Sequence, residues 1–167
     1  MITIISGTHR PGSNTQKVAL IYQQLLKEKG KNTDILSLEG LNILRRDADF
    51  EKIEQEILIP SKAFIIIAPE YNGSFPGTLK LLIDACKPPV VWHNKKVLLT
   101  GVSSGRAGNL RGMDHLTGIF NHIKITVHPN KLPLSGINNL LTETGTFKDE
   151  ATLMAINQQL EEFLAWV

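Results

Sequence analysis

Residues Ser61 to Lys87, SKAFIIIAPEYNGSFPGTLKLLIDACK, decide the fold. The stretch opens with an unbroken apolar run, Ala63 to Ala68, too short to span a membrane and rich in isoleucine. This is the pattern of a strand buried on both faces of a parallel sheet, and such a strand is central. Pro69 ends its ladder, and Asn72, Gly73 and Ser74 supply turn chemistry. Pro76 and Gly77 then precede a helical pattern of Leu79, Leu82, Ile83 and Cys86. A tight polar loop therefore sits at the carboxyl end of a central strand. In open α/β sheets that edge is where ligands bind, and PEYNGS offers backbone amides, an amide side chain and an aromatic ring.

Upstream, Ile2 to Ser6 reads as a first strand, followed by the loop GTHRPGSNT and a helix from about Asn14 to Lys29. Val18, Ile21, Tyr22 and Leu25 form that helix's apolar stripe, and Gly30 stops it. Asn32 to Leu38 reads as an outer strand. Asp49 is the expected cap of a short helix that turns Phe50, Ile53 and Ile57 inward and closes at Pro60. Downstream, Pro88 and Pro89 end the third helix, and Lys96 to Val102 forms a fourth strand running into SSGRAGN. A helix with Leu110, Met113, Leu116 and Phe120 inward follows, then a fifth strand, Ile123 to Val127. Residues 129 to 148 read as a mostly irregular return. Asp149 begins a last helix with Leu153, Ile156, Leu160 and Phe163 at helical spacing.

Strands alternating with helices imply a parallel sheet covered on both faces. The expectation is one α/β domain over residues 1–167, a flavodoxin-like three-layer sandwich with five strands in the order 2-1-3-4-5. In that order strands one and three are neighbours at the switch point, so GTHRPGSNT and PEYNGS line one crevice.

Composition narrows the function. The chain has 167 residues, 42% apolar and 20% charged, with a net charge of +2. The 18 basic residues are scattered, which disfavours a nucleic-acid partner. No apolar run suits a membrane span, and MITIISG already reads as a strand, leaving no signal peptide in view. Cys86 is the one cysteine, which excludes an intrachain disulfide, a cysteine-ligated zinc and an iron–sulfur cluster. The expected compartment is the cytoplasm. His93, His115, His122 and His128 have no metal-ligand spacing.

GTHRPGSNT joins a strand to a helix, whose first turn presents unpaired amides and the positive end of the helix dipole. Ser13, Asn14 and Thr15 add donors and Arg10 adds a charge, the chemistry of a phosphate monoester site. Each charge-assisted hydrogen bond there contributes on the order of 1.5–3 kcal/mol. Gly7 and Gly12 match the GxxxxG part of a P-loop, but Ser13 and Asn14 stand where Lys and Ser or Thr are required. The GxGxxG dinucleotide fingerprint is absent as well. A mononucleotide suits the loop better.

Together these loops resemble the NADPH-dependent FMN reductase family of the flavodoxin-like superfamily. GTHRPGSNT matches the family's GSxRPxSNT loop with Thr8 for Ser, and PEYNGSFPGTLKLLID matches PEYNGSxPGxLKNxID with Leu81 for Asn. A third loop, SxGxxGG, is matched by Ser103 to Gly108 with Asn109 in place of the last glycine. The late TETGTFKDEA segment is similar to the family's turn before its last helix.

The resemblance implies that Thr8, Arg10, Ser13, Asn14 and Thr15 hold an FMN phosphate. It also implies that Pro69, Glu70, Tyr71, Asn72 and Gly73 follow the isoalloxazine edge, and that Ser103, Ser104 and Gly105 approach its other side. It implies no catalytic side chain, since hydride passes to flavin N5, and NADPH or NADH as co-substrate. The acceptor would be a quinone, azo compound, free flavin or similar small molecule, and the assembly a homodimer or homotetramer. Leu81 and Asn109 depart from the pattern where packing or subunit contacts change. Glu70 is expected to fix its loop, and Tyr71 to stack at the flavin or close the core. Arg106 meets the NADPH phosphate or stays solvated, and His9 assists the phosphate or takes no part in the site. The alternatives are a flavodoxin-type electron carrier, which is usually strongly acidic, and a non-catalytic flavin-binding sensor.

Overall fold

The isoleucine-rich run of the central stretch forms β3 (Ala63–Pro69), in which every residue is buried. The structure is a computed structural model describing residues 1–167. β3 runs parallel between β1 (Ile2–Ser6) and β4 (Lys96–Val102), with Ile65 beside Ile4 on one side and Leu98 on the other. β2 (Asp34–Ser37) pairs outside β1, and β5 (Thr126–Val127) pairs outside β4. The order β2-β1-β3-β4-β5 is the flavodoxin-like one.

The sheet has six strands rather than five. β6 (Leu132–Leu134) lies within the stretch expected to be irregular and pairs with Thr100, Gly101 and Val102 of β4. β5 pairs only with Lys96 and Val97, so the carboxyl half of β4 is left for β6. β5 itself is shorter than expected, because Ile125 donates its N–H to Phe120 and Lys124 turns through φ 58°. Between β5 and β6 the edge of β4 is closed by a side chain. Gln159 Nε2 donates to Leu99 O at 3.1 Å and to Asn130 O at 2.9 Å, and its Oε1 accepts the buried Tyr22 hydroxyl at 2.7 Å.

α1 (Asn14–Glu28) and α7 (Glu150–Trp166) cover one face of the sheet, burying Val18, Tyr22, Ile156, Leu160 and Phe163 against Ile65 and Ile67. The opposite face of β3 presents Phe64, Ile66 and Ala68 to α2 (Ala48–Ile53), α3 (Gly77–Ala85), α4 (Pro88–Val91) and α5 (Leu110–His122). α6 (Ile137–Leu140) follows β6. Details of the expected helices shift. Ala19 and Leu26, not Ile21 and Leu25, complete the buried stripe of α1. The cap of α2 is Asp47, whose Oδ1 accepts the Phe50 N–H at 3.0 Å; α2 then widens into a π-turn over Glu54–Leu58. Pro88 and Pro89 open α4, where a first turn tolerates the missing N–H. Leu110 is 50% exposed, and Gly112 is buried in its place.

Candidate functional site

The chain leaves β1 pressed against β3. Gly7 N–H donates to Ile67 O at 2.9 Å, and a Cβ at Gly7 would stand 2.9 Å from that oxygen and 3.0 Å from Leu79 Cδ2. Only glycine fits this approach without a shift. Thr8 is buried; its Oγ1 lies 2.6 Å from the Tyr71 hydroxyl and accepts the Arg10 N–H at 3.3 Å. Gly12, at φ +61°, then turns the chain into α1. The N–H groups of Gly12, Ser13, Asn14 and Thr15 find no acceptor in the chain, as the start of a helix dictates. Ser13 Oγ accepts the Gln16 N–H at 3.2 Å, which leaves its own proton to donate. Asn14 Nδ2 donates to Asn138 Oδ1 at 2.7 Å, tying this loop to α6. The Arg10 guanidinium lies 4.2 Å over the Tyr71 ring.

The loop after β3 is more constrained than its sequence suggests. Glu70 N–H donates to Val102 O at 2.8 Å, and Tyr71 and Ser74 exchange backbone bonds of 2.8 and 3.1 Å. Asn72 (φ 53°) and Gly73 (φ 77°) form the two-residue turn between them, the left-handed pair that closes a tight hairpin. Of the amides in PEYNGS, those of Asn72 and Gly73 alone make no bond within the chain. α5 supports this turn with His115 and Arg111, which belong to none of the three loop motifs. His115 Nδ1 lies 2.9 Å from Ser74 Oγ, and Arg111 Nη1 lies 3.1 Å from where a Gly73 Cβ would be. Their spacing of four on an exposed helical face was the available signal.

The loop after β4 is held from behind. Ser103 Oγ donates to Gly105 O and accepts the Gly108 N–H, both at 2.9 Å. Ser103 N–H donates to Leu134 O at 3.0 Å, and Gly136 N–H donates to Gly105 O at 2.8 Å, so β6 and α6 back the loop. Ser104, Gly105 and Arg106 face solvent. Asn109 ends the loop buried. Its N–H donates to Glu70 Oε2 at 3.2 Å and its side chain reaches back to β3.

The three loops enclose a cleft of about 260 Å³. Its walls bring together Arg10, Ser13, Asn14 and Thr15 with Pro69, Glu70 and Tyr71, and with Ser103 and Ser104; Pro11, Val102 and Ile137 complete the lining. Thr8 stands behind Tyr71, while Asn72, Gly73 and Gly105 lie outside the lining. Four acceptor-less amides at a helix start, next to an arginine without a carboxylate partner, suit a dianionic phosphate. A wider depression of about 550 Å³ along Leu20, Gln23, Lys27 and Lys31 lies on the outer side of α1, away from these three loops. No group of three His, Cys, Asp or Glu side chains could hold a metal ion. Burial pushes the Cys86 thiol up to about 12, which keeps it protonated and unreactive.

The family model for NADPH-dependent FMN reductases matches residues 1–139 of the chain. An NAD(P)H-dependent FMN reductase of Pseudomonas aeruginosa is 29% identical over 175 aligned residues, spanning 98% of this chain and 92% of that one. A 2-hydroxy-1,4-benzoquinone reductase of Burkholderia sp is 23% identical over 175 residues, spanning 99% and 95% of the two chains. Among solved structures, the flavoenzyme NAD(P)H:(acceptor) oxidoreductase of Paracoccus denitrificans matches with a TM-score of 0.78 at 22% identity, spanning 99% of this chain and 95% of that one. At that identity the structural likeness shows the fold.

Proposed function

The chain belongs to the NADPH-dependent FMN reductase family, and from that premise we propose that its cleft holds FMN and that the enzyme passes reducing equivalents from NAD(P)H to quinones. The observation that carries this reading is the meeting, in one cleft, of the open amides at the start of α1 with the loops after β3 and β4.

In this reading the amides of Gly12 to Thr15, the Ser13 hydroxyl and Arg10 bind the phosphate. Asn72 and Gly73, with their amides unspent, donate to the electron-rich edge of the ring, where such donors favour the reduced form. Ser103, Ser104 and Gly105 approach from the other side, with Ser103 fixed by its own hydrogen bonds. When bound, FMN supplies the chemistry, accepting hydride from the nicotinamide and passing two electrons to the acceptor. No side chain need donate a proton to the hydride step, and Glu70 serves by holding the loop after β4 through Asn109. The exposed rim at Ser104, Gly105 and Arg106 leaves room for nicotinamide and a planar acceptor in turn. The Burkholderia relative is named for a benzoquinone, and for this chain quinones are the proposed acceptor class.

Residues 1–167 form one flavodoxin-like domain in this reading, working as a cytoplasmic homodimer or homotetramer. The groove between α3 and α5, lined by Ile83, Pro88, Ile119 and Ile123 together with Lys80, Asp84 and His122, supports pairing, and sedimentation measures it.

The test is anaerobic. The FMN-reconstituted protein is mixed with NADPH or NADH, its visible flavin absorbance is followed, and 1,4-benzoquinone is then added. Bleaching within seconds followed by return of the colour on adding quinone is expected. Bound FMN that neither nucleotide bleaches would overturn the reductase reading in favour of a carrier or a sensor.

A further inference from the structure

Asn109 carries two costs at one buried position. Its backbone is left-handed, at φ 60° and ψ 31°, and its Oδ1 is buried with no partner. A buried, unsatisfied oxygen and an uncommon backbone region cluster at functional sites, and this residue adjoins the cleft. As the N-cap of α5 it makes no side-chain cap bond. Its amide is spent elsewhere. Nδ2 donates to Ala68 O at 2.9 Å and to Pro69 O at 3.0 Å, the last carbonyls of β3. Two carbonyl acceptors fix which end of the amide is nitrogen. In the opposite direction, Glu70, the next residue after β3, accepts the Asn109 N–H at 3.2 Å.

The pair is thus reciprocal across two loops. The side chain of Asn109 satisfies the backbone of β3, and the side chain of Glu70 satisfies the backbone of Asn109. Neighbouring glycines make the room. A Cβ at Gly112 would lie 2.1 Å from Asn109 Oδ1, and one at Gly101 would lie 3.1 Å from Asn109 Cβ. The side-chain half of the device is made by Asn109 alone, through its two bonds to the end of β3.

We propose that Glu70 and Asn109 are positioning residues: a clamp that joins the loops after β3 and β4 into one rigid wall and thereby sets both the affinity and the reduction potential of bound FMN. The inference rests on the FMN reading above. Glu70 acts here as a hydrogen-bond acceptor, not as a charge and not as a proton donor. Amides held at fixed distances stabilise a reduced ring edge only while the wall is rigid.

Four variants test it: Asn109→Gly, Gly112→Ala, Glu70→Ala and Glu70→Gln. Each is measured for FMN dissociation constant by flavin fluorescence, for midpoint potential of the loaded protein, and for unfolding of the apoprotein. Glycine suits the left-handed position and alanine favours helix, so Asn109→Gly and Gly112→Ala are expected to fold. Gly112→Ala displaces the Asn109 amide while leaving both clamp residues in the sequence. The expected result is a roughly tenfold weaker FMN complex with a shifted potential in Asn109→Gly, Gly112→Ala and Glu70→Ala. Glu70→Gln retains an acceptor oxygen and should stay near the wild-type values for both.

Glu70→Gln matching Glu70→Ala would overturn the clamp in favour of a charge effect. FMN affinity and potential unchanged in Asn109→Gly and Gly112→Ala, whatever their stability, would make Asn109 a packing residue only and also overturn it. Failure of the wild-type protein to bind FMN would instead defeat the FMN reading itself.

Discussion

The two walls of the cleft are made by opposite means. The wall at the start of α1 is an opening: Gly12 to Thr15 present amides that nothing in the chain accepts, and few side chains tie them down. The wall after β3 and β4 is a closure. Tyr71 and Ser74 bond each other, Ser103 bonds its own loop and Asn109 bonds β3, and in the loop after β3 only Asn72 and Gly73 keep amides free. The difference follows from what each wall faces. A phosphate is compact and doubly charged, and a helix start supplies donors for it without further construction. A flat ring edge offers a few acceptors at set positions, so the donors must be few and held still.

The comparison breaks most severely at Gly101. A Cβ there would lie 2.0 Å from the carbonyl oxygen of Gly108, a backbone atom that cannot swing aside. Gly101→Ala should therefore destabilise the fold by about 3 kcal/mol in urea unfolding. A loss under about 1 kcal/mol would show slack in the second wall.

The first wall is tested by Asn14→Asp, which is nearly isosteric and puts a carboxylate where the phosphate should sit. FMN affinity should fall on the order of a hundredfold by repulsion and loss of a donor. The apoprotein should stay within about 1 kcal/mol of the wild type, because the lost Asn14–Asn138 hydrogen bond is offset by an acid at the positive end of the helix dipole. Parallel losses in binding and stability would contradict the division of labour between the walls.

Tyr71→Phe sharpens the boundary, since the Tyr71 hydroxyl 2.6 Å from Thr8 Oγ1 is the one direct side-chain hydrogen bond between the two loops. Losing it should cost about 1 kcal/mol, roughly fivefold in FMN affinity measured by fluorescence titration.

His128 lies away from both walls and serves as a contrast. It is buried against Trp166 and Phe163, with ring centroids at 5.1 and 6.1 Å, and its Nδ1 accepts the Asn130 N–H at 3.2 Å. Burial holds its pKa below the ordinary imidazole value, against the pull of Glu162. A lowered pKa means the unfolded chain binds the proton first, so stability is complete above about pH 6.5 and declines as pH falls through the folded value. His128→Phe should flatten that acid-side slope in thermal unfolding while leaving FMN affinity at neutral pH unchanged.

Much of this was readable in the residues themselves. The buried run Ala63–Ala68, the turn chemistry of PEYNGS and the donor-rich start of α1 are local patterns, and they led to the sheet order and to a cleft between the right loops. What was not readable depends on contacts distant in the chain. β6 is a Leu-Pro-Leu segment with neither alternation nor length, and it becomes a strand only because β5 leaves half of β4 unpaired. The tie from Asn109 to Ala68 and Pro69 spans about forty residues, and in sequence Asn109 was merely a departure from a glycine. The PEYNGS amides looked uniformly available, whereas hairpin pairing of Tyr71 with Ser74 removes two of them. Local patterns identify donors; tertiary pairing decides which remain free.

The most direct measurement is a parallel titration of the apoprotein with FMN and with riboflavin, which share a ring and differ in the phosphate. A phosphate seated at the start of α1 predicts that FMN binds at least a hundredfold more tightly, the worth of two charge-assisted hydrogen bonds there. It also predicts that Asn14→Asp removes most of that advantage without weakening riboflavin. Equal affinities for the two flavins would contradict it, because the first wall would then hold no phosphate.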